Sequence, residues 1–319
     1  MLKYLGYKAI VGLATVLPRG CQYQIAHRVA DLNYLLDHKA RHAVKENVRV
    51  ILGEDAPEAS VCRESRWVFR SFGMYLCEFF GHRQFGSRFI DKHVVVQGRE
   101  HLDAALAKGR GVLFCSGHYS NWELGATVVA HLGYPIVAVV RMHGEPEINE
   151  LFVRQREAFG IRVVHSQHGA TAAMKALRQN QTVALLADRS TGGPVIPVHL
   201  CGRRTYLPQG PWRIALVSGA ALLPTFVSRR FNCNYTLEIG APIPVPQTGA
   251  RAERMAAMAQ TWAASFENRL RADPSQWATF FRFWNEAAAT AAPRLAEPVA
   301  IAAANRDLAT VGTEVGERE

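Results

Sequence analysis

The sequence predicts an α/β fold with a largely parallel central sheet flanked by helices, preceded by amino-terminal helices. Apolar positions recur at helical spacing through the first 92 residues. From about residue 93 short β-rich runs alternate with helical ones, as in a sheet built from strand–helix–strand units. With 319 residues and 49% hydrophobic side chains, the chain can bury a sizeable core.

The elements follow in order. Residues 23–52 carry Ile25, Val29, Leu32, Leu36, Val44, Val48 and Ile51 at mostly helical spacing, closed by Gly53, and predict one long helix. A second helix is expected over Glu58–Phe80, with a wide aromatic face of Val61, Val68, Phe72, Leu76 and Phe79. Strands are then expected at 94–97, 111–116, 136–140, 161–165, 183–187, 195–199, 222–227 and 235–239. Helices are expected at 100–107, from Asn121, and at 147–159, 170–178, 211–218 and 252–271. The expected division is a helical, membrane-associating region over 1–92, an α/β core over 93–285 and an alanine-rich tail without stable structure over 286–319.

Charge narrows the partners. The chain has 37 Lys+Arg against 27 Asp+Glu, a net charge of +10, which suits an anionic partner. The excess leans to the first fifty residues, where Lys3, Lys8, Arg19, Arg28, Lys39, Arg41, Lys45 and Arg49 face only Asp31, Asp37 and Glu46. No zinc-finger spacing, basic zipper or RNA-binding signature accompanies it, so an acidic membrane surface is expected and nucleic acid is not. The uncharged run at residues 9–17 is shorter than the ~20 residues of a spanning helix. With Lys3, Tyr4, Tyr7 and Lys8 beside it, the first eighteen residues read as an interfacial helix, or as a first helix packed on the domain, rather than a span or a signal peptide.

The six cysteines form no C-x-x-C pair or dense cluster, which argues against a zinc cage or a disulfide scaffold and for a reducing cytosolic side. His165 and His168 lack a third ligand at useful spacing, so no metal is expected there.

The stretch with the most chemistry is Cys115-Ser116-Gly117-His118-Tyr119-Ser120-Asn121-Trp122-Glu123. It sets a histidine and a carboxylate five positions apart after the apolar run Val112-Leu113-Phe114. On a continuous helix that separation turns the side chains about 140° apart. They can meet only if the chain bends, and Gly117 with the Ser120-Asn121 pair can supply the bend. The expectation is a strand ending at Ser116, His118 on the following loop and Glu123 in the first turn of the next helix, where open α/β sheets hold ligands. His118 would be the base and Glu123 its orienting acid.

These blocks, taken in order, make the chain resemble the bacterial lipid A biosynthesis acyltransferase family, which includes phosphatidylinositol mannoside acyltransferases. The resemblance covers roughly residues 1–285. It rests on Lys45-Glu46-Asn47-Val48, Phe69-Arg70-Ser71-Phe72 followed by Glu78, Gly117-His118 to Glu123, and Arg154-Gln155-Arg156-Glu157-Ala158-Phe159-Gly160. Leu185-Leu186-Ala187-Asp188-Arg189, Ser218-Gly219-Ala220-Ala221-Leu222-Leu223-Pro224 and Pro274-Ser275-Gln276-Trp277 complete it.

The resemblance implies a glycerolipid acyltransferase-like fold. It also implies transfer of a fatty acyl group from acyl carrier protein or acyl-coenzyme A to a hydroxyl of a membrane glycolipid such as a lipid A precursor. No metal or cofactor is expected, the thioester being a substrate. The family's histidine falls on His118, its acidic partner on Glu123, its arginine block on Arg156 with Arg154 as an acceptable neighbour, and its later acid on Asp188. Arg156 would pair with a phosphate or brace the site, and Asp188 would position Arg or His groups across the sheet edge or serve as a plain turn residue. Location at the cytosolic face of the inner membrane is expected. Two departures concern the acceptor and chain length: Ser190 stands where the family often has a second acid, and Leu200-Cys201-Gly202 where an aromatic pair before glycine is common. The rivals are a glycerophospholipid (lysophospholipid) acyltransferase and a non-catalytic basic membrane-binding protein. A covalent acyl-enzyme on Cys115 or Ser116 is a minor alternative, since no G-x-S-x-G elbow is present.

Overall fold

The computed structural model describes residues 6, 8, 10–12, 14, 16–81, 86–141, 145–190, 193–230 and 234–284. Nine of the first eighteen residues lie outside them; the described ones between 6 and 16 are helical, with Ile10, Val11 and Ala14 in the cluster that holds Tyr75, Phe79 and Phe80, and the expected tail at 286–319 lies wholly outside.

Nine strands alternate with helices among the described residues. Seven of them, β1 (Val94–Gln97), β2 (Val112–Ser116), β3 (Ile136–Val140), β4 (Arg162–His165), β5 (Thr182–Leu186), β8 (Ala221–Arg229) and β9 (Tyr235–Ile239), form one sheet in the order β1-β9-β8-β2-β5-β3-β4. Every neighbouring pair is parallel except β8 and β9. The central sheet is therefore largely parallel and flanked by helices, the expected class.

Period-two alternation sends side chains of each strand to opposite faces. On β2, Leu113 and Cys115 join the core that holds Trp212, Trp262 and Phe266, whereas Val112 and Phe114 join the core that holds Leu102, Val128 and Leu237. The first face is covered by α8 (Gly169–Arg178), α9 (Gly210–Ser218) and α10 (Arg251–Ala272). The second is covered by α5 (Arg99–Leu106) and α6 (Trp122–His131). The helix α7 (Pro146–Ala158) precedes β4, and its Phe152 packs on Phe79 and Phe80.

At the amino end stand α1 (Arg19–Leu36), α2 (His38–Leu52), α3 (Glu58–Phe80) and the short α4 (Ser87–His93). The single helix expected at 23–52 is two. Asp37 leaves helical geometry (φ −85°, ψ 81°), and its carboxylate accepts from the Ala40 amide at 2.8 Å, capping α2. The buried side of α1 is also not its large apolar one. Tyr23, Ala26 and Ala30 face inward, and a Cβ on Gly73 of α3 would come within 3.2 Å of the Ala26 carbonyl. Small residues thus set a close helix crossing, and Ile25, Val29, Leu32 and Leu36 face outward.

A two-stranded antiparallel hairpin, β6 (Val195–Leu200) and β7 (Arg203–Pro208), stands beside the main sheet. Its second strand was not expected. Cys201 and Gly202 both have positive φ (52° and 76°) and form the two-residue turn. The Cys201 amide donates to Glu267 at 2.6 Å, which ties the turn to α10.

Candidate active site

The site is built on the register between β2 and β5. Ser116 lies beside Leu186, so the residues two positions beyond each, His118 and Asp188, emerge side by side at the carboxyl ends of parallel strands. His118 Nδ1 lies 2.7 Å from Asp188 Oδ1, and the His118 amide donates to Asp188 Oδ2 at 3.1 Å. Asp188 is fully buried, and the Trp277 indole N–H donates to its Oδ2 at 3.0 Å. Burial pushes this carboxyl upward in pKa, but the charge and hydrogen bond of His118, with Arg189 and Trp277, hold it well below the ordinary carboxylate range. Asp188 therefore stays ionised at neutral pH. Its contribution to stability is fully present above the ordinary aspartate range and is lost only as pH falls through the depressed value. An ionised acceptor fixes the proton of the imidazole on Nδ1 and leaves Nε2 as the basic atom.

The loop that carries His118 is held closely. A Cβ at Gly117 would approach the Phe266 ring to 2.8 Å, so only glycine lets the chain pass. Ser120 sits in the left-handed region at φ 53°, and its amide donates to the Gln276 carbonyl at 2.7 Å. The Ala278 amide donates to the His118 carbonyl at 2.9 Å, so the segment after α10 runs along the loop and fastens it. Asn121 caps α6, its side chain accepting from the Leu124 amide at 2.8 Å.

Glu123 does not orient His118, which corrects the pairing expected from their spacing. The turn at Ser120 and the start of α6 at Trp122 carry Glu123 toward α7, where Arg156 Nη2 donates to Oε1 at 2.6 Å and Nε donates to Oε2 at 3.0 Å. Both side chains are almost wholly buried, and the guanidinium lies over the Phe79 and Phe152 rings. Burial lowers the Arg156 pKa, yet the Glu123 charge and hydrogen bonds leave it raised overall. Arg154 is not brought to this pair. It is exposed and ion-paired with Glu150 one turn earlier on α7.

A third polar group was missed by reasoning from spacing. Glu78 of α3 is 1% exposed and accepts from Arg229 of β8 (Nη2 to Oε2, 3.1 Å), Tyr23 (2.9 Å), Tyr235 (2.5 Å) and the Asn121 side chain (2.7 Å). The partners come from α1, β8, β9 and the α6 cap. Gln276 also bridges to Arg229, donating to its carbonyl at 3.1 Å and accepting from its amide at 2.8 Å. No local pattern reports a pair 151 positions apart, although an acid and an arginine inside apolar runs were visible.

A cavity of about 810 Å³ opens beside His118. That is within the range of ~300–1,000 Å³ usual for small-molecule sites. One wall is sheet, with Phe114, Ala138, Ala184 and Val227; another is α6, with Gly125, Ala126 and Val129; a third is α3, with Phe72, Tyr75 and Leu76. His118, Glu123, Arg156 and Arg189 also line it. Cys115 is fully buried, and burial, followed by the Asp188 charge, pushes its thiol well above the usual range, so it is no nucleophile.

An orienting acid, a histidine with an open Nε2 and an apolar cavity suit proton removal from a hydroxyl beside a long apolar group. The chain is similar to known acyltransferases. The chain is 28% identical over 257 residues, 76% of its length and 77% of the relative's, to a phosphatidylinositol mannoside acyltransferase of Mycobacterium tuberculosis. It is 23% identical to the protein of the same name from Mycolicibacterium smegmatis, over 86% and 88% of the two chains. A lipid A biosynthesis acyltransferase of Haemophilus influenzae is 26% identical over 54% of this chain and 53% of its own. Among solved structures, a Thermotoga maritima 1-acyl-sn-glycerophosphate acyltransferase covers 80% of this chain and 98% of its own at 15% identity, with a TM-score of 0.37. The bacterial lipid A biosynthesis acyltransferase family matches residues 1–286, and the chain belongs to that family of acyltransferases.

Proposed function

We propose that this protein transfers a fatty acyl group from an acyl carrier protein or coenzyme A thioester to a hydroxyl of a membrane glycolipid of the lipid A precursor or phosphatidylinositol mannoside kind. The observation that carries the reading is the His118–Asp188 pair, with Nε2 unpartnered at the mouth of an apolar cavity. His118 Nε2 takes the proton of the acceptor hydroxyl as its oxygen attacks the thioester carbonyl carbon, whose π electrons move to the carbonyl oxygen. Asp188 stabilises the imidazolium that forms. On collapse the carbon–sulfur bond breaks, the thiolate leaves and His118 returns the proton to it. The products are an ester and a free thiol. Glu123 and Arg156 shape the wall beside His118 and hold one another's charge where water is sparse.

The reaction is assigned to the cytosolic face of the inner membrane, with an acidic membrane surface as partner. Among the described residues no helix is long and apolar enough to cross a membrane. Association with one face is supported by α1. Its outward stripe of Ile25, Val29, Leu32 and Leu36 recurs at helical spacing, with Val29 61% and Leu36 67% exposed. Arg28 lies on the same helix, and Lys39 and Arg41 follow on α2. An apolar stripe beside cations suits the interface of an anionic leaflet.

The test is to incubate the protein with labelled acyl carrier protein and acyl-coenzyme A and a total lipid extract of the source organism. Label should enter a glycolipid band from one of the donors. Label confined to a lysophospholipid would favour the glycerophospholipid alternative, and no lipid labelled from either donor would contradict the proposal.

A further inference from the structure

The cavity beside His118 straddles the carboxyl edge of the sheet and has two branches. One lies on the face covered by α6, between Phe114, Ala138, Ala184 and Val227 of the strands and Gly125 and Val129 of the helix. The other lies on the opposite face, where Val139 and Leu185 meet Ala170 of α8 and Gly210 and Ile214 of α9. The first branch is deep and apolar, with Val129 1% and Val227 2% exposed. The second is open to solvent: Ser166, Ala170 and Gly210 are all exposed. A Cβ on Gly210 would have nothing within 4 Å, so there is room at that point.

A thioester with its carbonyl at His118 carries a hydrocarbon chain on one side and the amide-bearing arm of its carrier on the other. The hydrocarbon suits the deep branch, where an amide would lose its water without gaining a partner. The carrier arm needs a path to solvent, and the second branch supplies one. At its outer end stands Arg141, two positions beyond Val139, which also lines the cavity. Ala138 and Phe114 both pair with Ala184, so Arg141 is level with Gly117 two strands away, about 10 Å across the sheet edge. Arg141 is exposed, and among the described residues it makes no hydrogen bond or ion pair. A third side of the cavity is formed by Phe72, Tyr75 and Leu76 of α3, the helix crossed by α1 at Ala26. The outward stripe of α1 makes that the side from which a lipid acceptor arrives, and the α8–α9 branch is left to the water-borne donor.

We propose that the branch between α8, α9 and the β3–β5 edge is the subsite for the phosphopantetheine arm of the acyl donor, with Arg141 at its outer end binding the phosphate of that arm. This rests on the acyl-transfer reading above. Acyl carrier protein and coenzyme A carry the same arm, so the subsite serves either donor. An accessible guanidinium meets a phosphate with its charge and with paired N–H groups.

The experiment takes the donor and the glycolipid that label in the assay above and compares wild type, Arg141→Ala and Gly210→Phe. Two thioethers that cannot transfer, S-alkyl pantetheine and S-alkyl phosphopantetheine, are added as competitors of the donor. Arg141→Ala is expected to raise the donor KM about tenfold, with kcat and the glycolipid KM nearly unchanged. Against wild type the phosphorylated thioether should compete about tenfold better than the other, and against Arg141→Ala the two should compete alike. Gly210→Phe, which puts a ring into open space, should weaken the donor and both thioethers. A raised glycolipid KM with the donor KM unchanged, in either variant, would overturn the proposal and give the branch to the acceptor. Unchanged KM values for both substrates in both variants, or thioethers that do not compete with wild type, would overturn it as well. Wild type that labels no lipid would instead contradict the acyl-transfer reading itself.

Discussion

His118→Ala is expected to abolish nearly all acyl transfer, lowering kcat by about 10²–10⁴-fold, because no other basic group shares its position. Glu123 is matched to Arg156, Asp188 is buried beneath Trp277 and Cys115 is inert. The fold should survive the change. His118 is partly exposed at the cavity, and its loop is fastened by backbone bonds from Ser120 and Ala278 that an alanine keeps. Steady-state rates on the labelled acceptor, with a thermal melt of each protein, check both halves. A folded variant that keeps its rate would remove His118 from the chemistry.

Arg229→Met is expected to have the largest effect on stability. It strips Glu78, buried under α1, α3 and the sheet, of the only cation paired with it among the described residues. Leaving one member of a buried pair uncompensated costs about 3–5 kcal/mol. Replacing both, Glu78→Gln with Arg229→Met, should recover part of that loss, since two neutral groups need less solvation than one isolated charge. Urea unfolding of the single and double variants measures the cycle. A cost below about 1 kcal/mol for Arg229→Met would mean that water reaches Glu78 and that the pair behaves like a surface bridge. Activity should fall along with stability, because the Asn121 side chain that caps α6 donates to Glu78.

What was legible in the sequence is the part set by local periodicity. The alternation of apolar strands and helices from residue 93 gave the sheet class, and Gly117 with Ser120-Asn121 marked the bend between strand and helix. Asp37 was readable as a helix cap in principle, but the apolar spacing on either side continued across it. The hairpin strand at Arg203–Pro208 carries two arginines and a proline, and its turn uses a cysteine in a conformation usually left to glycine or asparagine. On α1 the periodic stripe was real, yet it faces outward, because Ala26 and Ala30 allow a closer crossing with α3 than the larger side chains would.

The site was legible by residue type and not by pairing. Glu123 is five positions from His118 and Asp188 is seventy, so spacing favours the wrong carboxylate. Which acid reaches the histidine is decided by β5 lying beside β2 in parallel register. Sheet order is a tertiary fact that no local pattern encodes. The same holds for Glu78 and Arg229, which meet only because α3 packs over the end of β8.

The most direct test of the account is a double-mutant cycle in kcat over His118→Ala and Asp188→Asn, at saturating donor and acceptor. If Asp188 acts through His118, Asp188→Asn alone should cost about 10²–10⁴-fold, and adding it to His118→Ala should cost almost nothing more. Losses that multiply in the double variant, or an unchanged rate in a folded Asp188→Asn, would contradict the pairing at the centre of this mechanism.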